Sequence, residues 1–224
     1  MPAGNFVLFA FSAAAATLAV AHAEPARREP DRPAPLRSVR SMLEMRHDRV
    51  VLQQWDLSCG AAALATLLSI QHNDAVSERE IALALMRRDA YLADPDLVRV
   101  REGFSLLDLK RFVQARGYEG VGLGRLSMAD IAGRAPFIAP LSINGYNHFV
   151  VVIGVRDGRV MIADPAFGNR DLAIAAFERA WIDSPRMGRV AFIVRRPGVA
   201  APPPSIPAPL APDGAMLRAQ GRRY

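Results

Sequence analysis

The hydrophobic positions of this chain change period part-way along it. The run Ala61 to Ile70, opened by Cys59-Gly60, is rich in Ala and Leu and free of breakers, which predicts a buried helix. Ser77 with Glu80 three residues on is a capping-box pattern, and it predicts a helix reaching about Arg88. Ser105 with Asp108 predicts an amphipathic helix over Leu106 to Arg116 that Gly117 ends, and Ser127 with Asp130 a short one stopped before Pro136. Between them, residues 87–102 are polar, contain Pro95 and read as a long surface connection. Beyond Pro136 the pattern shortens. Phe137 to Ile143, His148 to Val155, Arg159 to Ala163 and Val190 to Val194 are short runs rich in β-branched residues with turn signals between them, which predicts an antiparallel sheet. Leu172 to Trp181 interrupts them as one more helix. Helices first and strands later is an α+β arrangement, with the sheet packed against the helix that begins at Cys59.

The two ends follow neither period. Residues 1–23 carry no charged side chain and end in Ala21-His22-Ala23, which reads as a signal peptide cut before Glu24, with an uncleaved anchor as the alternative. Residues 24–41 are rich in proline and arginine and read as a flexible lead-in. Residues 197–224 hold seven prolines without apolar periodicity and read as a disordered tail. The folded domain is then 42–196. The expected location is periplasmic or secreted, with no membrane span in the mature chain.

Composition narrows the function classes. The formal charge of +6 comes from 28 cations, all but Lys110 arginine, but these are scattered rather than clustered with aromatics, so nucleic-acid binding is not expected. With a single lysine that no glycine-rich loop approaches, a P-loop is absent. One cysteine in an exported chain cannot form an internal disulfide, so Cys59 is either inert core filler or kept for its reactivity.

Its setting favours reactivity. A thiol in the first turn of a buried helix meets the partial positive charge of that helix end, which favours the nucleophilic thiolate. Ser58 and Gly60 leave room beside it, and Asp56 is available as a helix cap. A base is required as well, and past the signal segment the chain offers His47, His72 and His148. His47 lies among charged residues of the lead-in and His72 in a turn, so both read as surface residues. His148 begins an apolar strand, where a surface role fits poorly. For a third member, Asp164 ends the next strand. If Arg156-Asp157-Gly158 is a three-residue loop, Val155 pairs with Arg159, Val150 lies opposite Asp164, and His148 becomes the diagonal neighbour of Asp164 on one face. A two-residue loop would put the pair on opposite faces. An oxyanion needs donors too: the Cys59 backbone amide is one, and Gln53 and Gln54 are equal candidates for the second on spacing alone.

The segment Gln53-Gln54-Trp55-Asp56-Leu57-Ser58-Cys59-Gly60-Ala61-Ala62 resembles the opening motif of the C39 peptidase family, the papain-like double-glycine peptidases. Asn147-His148-Phe149-Val150-Val151-Val152 and Asp164-Pro165-Ala166-Phe167-Gly168 resemble its His and Asp motifs. Order and spacing agree over about residues 45–196. The resemblance implies a papain-like fold and a cysteine peptidase with Cys59 as nucleophile, His148 as base, Asp164 as orienter and, from its place six positions before the cysteine, Gln53 as oxyanion donor. No cofactor or metal is implied. Many members are N-terminal domains of ABC exporters that cleave leader peptides in the cytosol. This chain is more similar to standalone exported members, some of which accompany secreted-peptide or functional-amyloid export systems. The function so implied is cleavage of a small exported protein or peptide through a thioester. The alternatives are a catalytically silent peptide-binding module of an export system, and amidase or transglutaminase-like acyl transfer.

Overall fold

Helices come first along the chain and strands later, as the change of period predicts. The computed structural model describes residues 41–100, 102–143 and 145–199, so the signal-peptide reading, nearly all of the lead-in and all but the first residues of the proline-rich tail lie outside the described residues. The helical part runs α1 (Met42–His47), α2 (Cys59–His72), α3 (Glu78–Met86), α4 (Asp89–Ala93), α5 (Leu97–Val100) and α6 (Leu106–Ala115). The sheet part runs β1 (Glu119–Leu123), a short 3-10 turn leading into α7 (Ile131–Arg134), β2 (Phe137–Ile143), β3 (Tyr146–Arg156), β4 (Arg159–Asp164), β5 (Gly168–Ala173), α8 (Ile174–Ala180), β6 (Asp183–Ser184), β7 (Gly188–Arg189) and β8 (Ala191–Arg195).

Residues 59–68 of α2 are all buried, as expected of a helix that is apolar all round and lies inside the core. Its alanines let neighbours approach closely on every side. α6 buries the apolar stripe Leu109, Phe112 and Val113 together with Asp108, and the full capping box of Ser105 and Asp108 starts it. Six strands form one antiparallel sheet in the order β1-β8-β2-β3-β4-β5. Alternation along β3 splits the core in two. Val151 and Ile153 face α2, α3 and α6, while Val150 and Val152 face a second cluster with Phe137, Ile131, Phe177 and Trp181.

Two sequence expectations are corrected, and one strand was not expected. The connection 87–102 contains α4 and α5, and Tyr91 in α4 is buried against Asp108, whose carboxylate accepts its hydroxyl. β1, with two glycines in Glu119-Gly120-Val121-Gly122-Leu123, has little strand propensity and takes its conformation from pairing with β8. The helix expected from Leu172 starts only at Ile174, because Gly168–Ala173 is the edge strand beside β4. That strand is anchored from outside the sheet: the Asn169 side-chain amide donates to the Met45 and Asp48 carbonyls at 3.1 and 2.6 Å.

Candidate active site

The hairpin β3–β4 decides where His148 and Asp164 lie. The expected three-residue loop is not formed. Arg156 pairs with Arg159 across a two-residue turn, Asp157-Gly158, in which both residues have positive φ, 50° and 71°. This is the turn that suits the twist of a hairpin, and Asp-Gly supplies it. Alone it would have placed the two catalytic candidates on opposite faces. A β-bulge between Val152 and Gly154 restores the register: Val155 pairs with Val160 and Gly154 with Met161, but Val152 pairs with Ile162 and Val151 with Ala163. Carried one step on, the ladder sets Val150 level with Asp164, and His148 reaches the carboxylate diagonally. The expected neighbourhood arises by a different route, with the extra residue in the strand instead of the turn.

The His148 Nε2–H donates to Asp164 Oδ1 at 2.7 Å. Both are buried, with 4% and 0% of their surface exposed. The backbone N–H groups of Ala166 and Phe167 donate to the same oxygen at 2.9 and 3.3 Å, and Arg170 Nη2 lies 3.0 Å from Oδ2. Burial would push the Asp164 carboxyl up, but His148, Ala166 and Arg170 hold it below its ordinary value. Burial would likewise lower the His148 imidazole. The hydrogen bond to Asp164 and the neighbouring Cys59 outweigh it, and the imidazole is pushed up to about 9. His148 Nδ1 is buried and makes no hydrogen bond. One ring nitrogen is thus fixed by a carboxylate and the other is left open beside a thiol.

Cys59, 2% exposed, is the first residue of α2. With His148 it lines a cleft of about 220 Å³ whose walls include Phe104 and Phe149, and at which Asn147 Nδ2 donates to Glu102 Oε2 at 3.2 Å. A Cβ on Gly60 would stand 3.3 Å from the Phe149 ring, so a larger residue after the cysteine would push on the cleft wall by a few tenths of an ångström. The N-cap position is Ser58, but its hydroxyl does not cap the helix; with one proton to give, its Oγ lies 2.5 Å from Glu78 Oε1 and 2.6 Å from the Trp55 carbonyl oxygen. Asp56 is exposed and is not the N-cap. The first amide groups of α2 therefore receive no side-chain cap from Ser58, in keeping with a place for a negative oxygen.

The structure thus brings Cys59, His148 and Asp164 together. Gln53 is tied to the same corner by its backbone N–H, which donates to the Pro165 carbonyl at 2.8 Å. Its side-chain Nε2 donates to the Trp55 carbonyl at 3.3 Å, and its Oε1 is buried with no partner. Gln54 is exposed, and what it contributes is a backbone N–H to Glu78. His47 is an exposed residue of α1, as expected. His72 is not a free surface residue: its Nε2 lies 3.1 Å from the Val194 carbonyl, its ring packs on Tyr118, and burial leads the effects that lower its pKa. Sequence reasoning missed Glu78 and Arg170. An acidic residue in the first turn of a helix looks like a dipole partner, and nothing local marks it as buried.

Comparison with known proteins settles the family. A model of the peptidase C39 family matches residues 47–184, more than half of the chain. The chain belongs to the peptidase C39 family. That places it, by family, among the cysteine-type peptidases. This C39 chain is 36% identical over 146 residues to a protein of Pseudomonas aeruginosa named probable functional amyloid protease FapD, covering 65% of this chain and 62% of the relative. It is 37% identical over 150 residues to the protein of that name from Pseudomonas fluorescens, again over 65% and 62%. The match therefore spans somewhat under two thirds of these relatives' length. Among solved structures, the peptidase domain of Streptococcus ComA, a bi-functional ABC transporter involved in a quorum-sensing pathway, superposes with a TM-score of 0.52 at 16% identity over 67% of this chain and 99% of that one. This likeness shows the papain-like fold that the C39 chain shares with it. Among the described residues, no helix is long and apolar enough to cross a membrane.

Proposed function

We propose that this C39 chain is a cysteine peptidase that cuts a small exported protein or peptide in the cell envelope, in a periplasmic or secreted location, in connection with a functional-amyloid or peptide export system. The observation that carries the chemistry is the buried His148–Asp164 hydrogen bond at 2.7 Å, with the second imidazole nitrogen unpartnered beside Cys59. The amyloid connection draws on the names of the two Pseudomonas relatives.

In this reading the Cys59 thiolate attacks the peptide carbonyl while His148 holds the proton as imidazolium. The tetrahedral oxyanion is met by the Cys59 backbone N–H and the Gln53 side-chain amide. Collapse breaks the C–N bond, His148 gives its proton to the leaving amine, and a thioester remains. Water, deprotonated by His148, then releases the acid and restores the thiol. Asp164 keeps the ring oriented and favours its protonated form throughout. The polypeptide would reach Cys59 along the cleft past Phe104 and Phe149.

The test uses the single thiol. Iodoacetamide labelling of Cys59 across pH should show fast reaction near neutrality in the wild type, slowed at least about tenfold at pH 7 in His148→Ala. Labelling no faster than a free thiol, and unchanged by the substitution, would sink the catalytic reading. The substrate is sought by comparing the termini of envelope proteins between wild type and Cys59→Ala cells, where one exported protein should lose a processed end.

A further inference from the structure

Outside the His148–Asp164–Arg170 set, two described acids are deeply buried, Asp108 and Glu78, and Glu78, 3% exposed at the first position of α3, is the one tied to the chain that leads into Cys59. Its two oxygens accept the Gln54 backbone N–H, each at 3.0 Å, and Oε1 also accepts the Ser58 hydroxyl at 2.5 Å. These two donors bracket the segment Trp55-Asp56-Leu57. Inside it, Leu57 holds a left-handed backbone with φ 65°, which a branched side chain adopts only when its surroundings impose it. The Ser58 Oγ also lies 2.6 Å from the Trp55 carbonyl oxygen, the same oxygen that accepts the Gln53 side chain. A carboxylate on a different helix, twenty residues from Ser58, therefore clamps the stretch of chain that runs from Gln53 to Cys59.

We propose that Glu78 is a positioning residue of the peptidase: it holds the 54–58 segment so that the Gln53 amide and the Cys59 backbone N–H keep the spacing an oxyanion requires. The proposal rests on Cys59 acting by acyl transfer. Glu78 touches neither the substrate nor the thiol; it acts through Gln54 and Ser58. A carboxylate suits the place because it offers the Gln54 N–H two acceptor oxygens and leaves Oε1 able to take the Ser58 proton. A glutamine keeps one acceptor oxygen, so the Gln54 N–H loses one of its two partners.

The probe is p-nitrophenyl acetate, which acylates Cys59 as the phenolate leaves and reports the event as a burst of p-nitrophenolate, with Cys59→Ala as the blank. Alkylation by iodoacetamide involves no tetrahedral oxyanion and serves as the control for folding and thiol reactivity. Glu78→Gln should slow the acylation burst at saturating ester by about tenfold or more while leaving the alkylation rate and its pH profile within about twofold. Gln53→Ala should slow the burst on the order of a hundredfold, and adding Glu78→Gln to it should cost at most a further twofold, because the group being positioned is already gone. Ser58→Ala, which removes one clamp bond and no charge, should show the same pattern at a few-fold, and it carries the test if Glu78→Gln does not fold. A wild-type burst equal to that of Cys59→Ala overturns the peptidase reading itself. A normal wild-type burst that Glu78→Gln and Ser58→Ala leave unchanged, or losses that multiply fully with Gln53→Ala, overturn the role of Glu78 alone.

Discussion

Asp164 and Asp108 are both fully enclosed carboxylates with an arginine at hand, and they serve opposite ends. Asp108 lies at the start of α6, where it accepts the Tyr91 hydroxyl at 2.5 Å and the Ser105 backbone N–H at 3.0 Å and pairs with Arg88. The Ser105 hydroxyl donates to it as well, at 2.8 Å. Asp164 also accepts two backbone N–H groups and faces Arg170, but its shortest bond, 2.7 Å, goes to an imidazole whose other nitrogen has no partner. Burial and charge pairing are common to the two sites and so do not mark function. What marks it is the valence left open at the far side of the partner. A network that closes on itself supplies stability, and one that ends on a free nitrogen beside a thiol has something left to do.

The comparison is broken most easily at Asp164. Asp164→Asn keeps the size of the residue and its acceptor for the Ala166 and Phe167 N–H groups, but removes the charge that favours a protonated His148. Acylation of Cys59 by p-nitrophenyl acetate should fall on the order of 10³-fold, about 4 kcal/mol of barrier, with the thermal midpoint moving only a few degrees. A rate within tenfold of wild type would make Asp164 as structural as Asp108. The mirror experiment is Asp108→Asn, expected to cost about 3 kcal/mol in urea unfolding by leaving Arg88 and the Tyr91 hydroxyl poorly matched, while iodoacetamide labelling of Cys59 in the folded protein stays at the wild-type rate.

A smaller effect is expected from pH. His148 is raised from 6.5 to about 9, so the stability it lends is fully present below about pH 6.5 and is lost as pH rises through about 9. Asp164 is lowered, so its share is present above its unfolded value of 3.8 and is lost as pH falls through its folded value. Urea unfolding at pH 7 and pH 10 should differ by on the order of 2 kcal/mol more in the wild type than in His148→Ala. Equal differences would mean that the pair is not charged in the folded protein.

How much of this was legible beforehand depends on where the determining partner lies. β2 was read to the residue, and β3, β4 and β8 to within two, because runs such as Phe149 to Val155 carry their own propensity. β1 and β5 escaped because Glu119–Leu123 and Gly168–Ala173 become strands only by pairing with β8 and β4. Cys59, His148 and Asp164 could be singled out because one thiol, few histidines and a hairpin leave little choice. Glu78 could not: its partners are 20 and 24 residues earlier in the chain, and its neighbours Ser77 and Glu80 already explain the helix start. The hairpin shows the same limit from another side. Counting residues gave the correct neighbourhood for His148 and Asp164, but it could not say whether the odd residue would fall in the turn or in the strand.

That odd residue is Ile153, which the bulge leaves between the pairs of Val152 and Gly154. Parity required one spare position between the base and its orienter, and a spare position in a turn would have hung in water. Lodged in the strand, it points a branched side chain, 2% exposed, into the core beneath α2, the helix that carries Cys59. The counting problem of the hairpin and the core beneath the nucleophile's helix thus meet at one residue: its presence in the strand sets the reach of His148, and its side chain packs in the cluster that α2 shares.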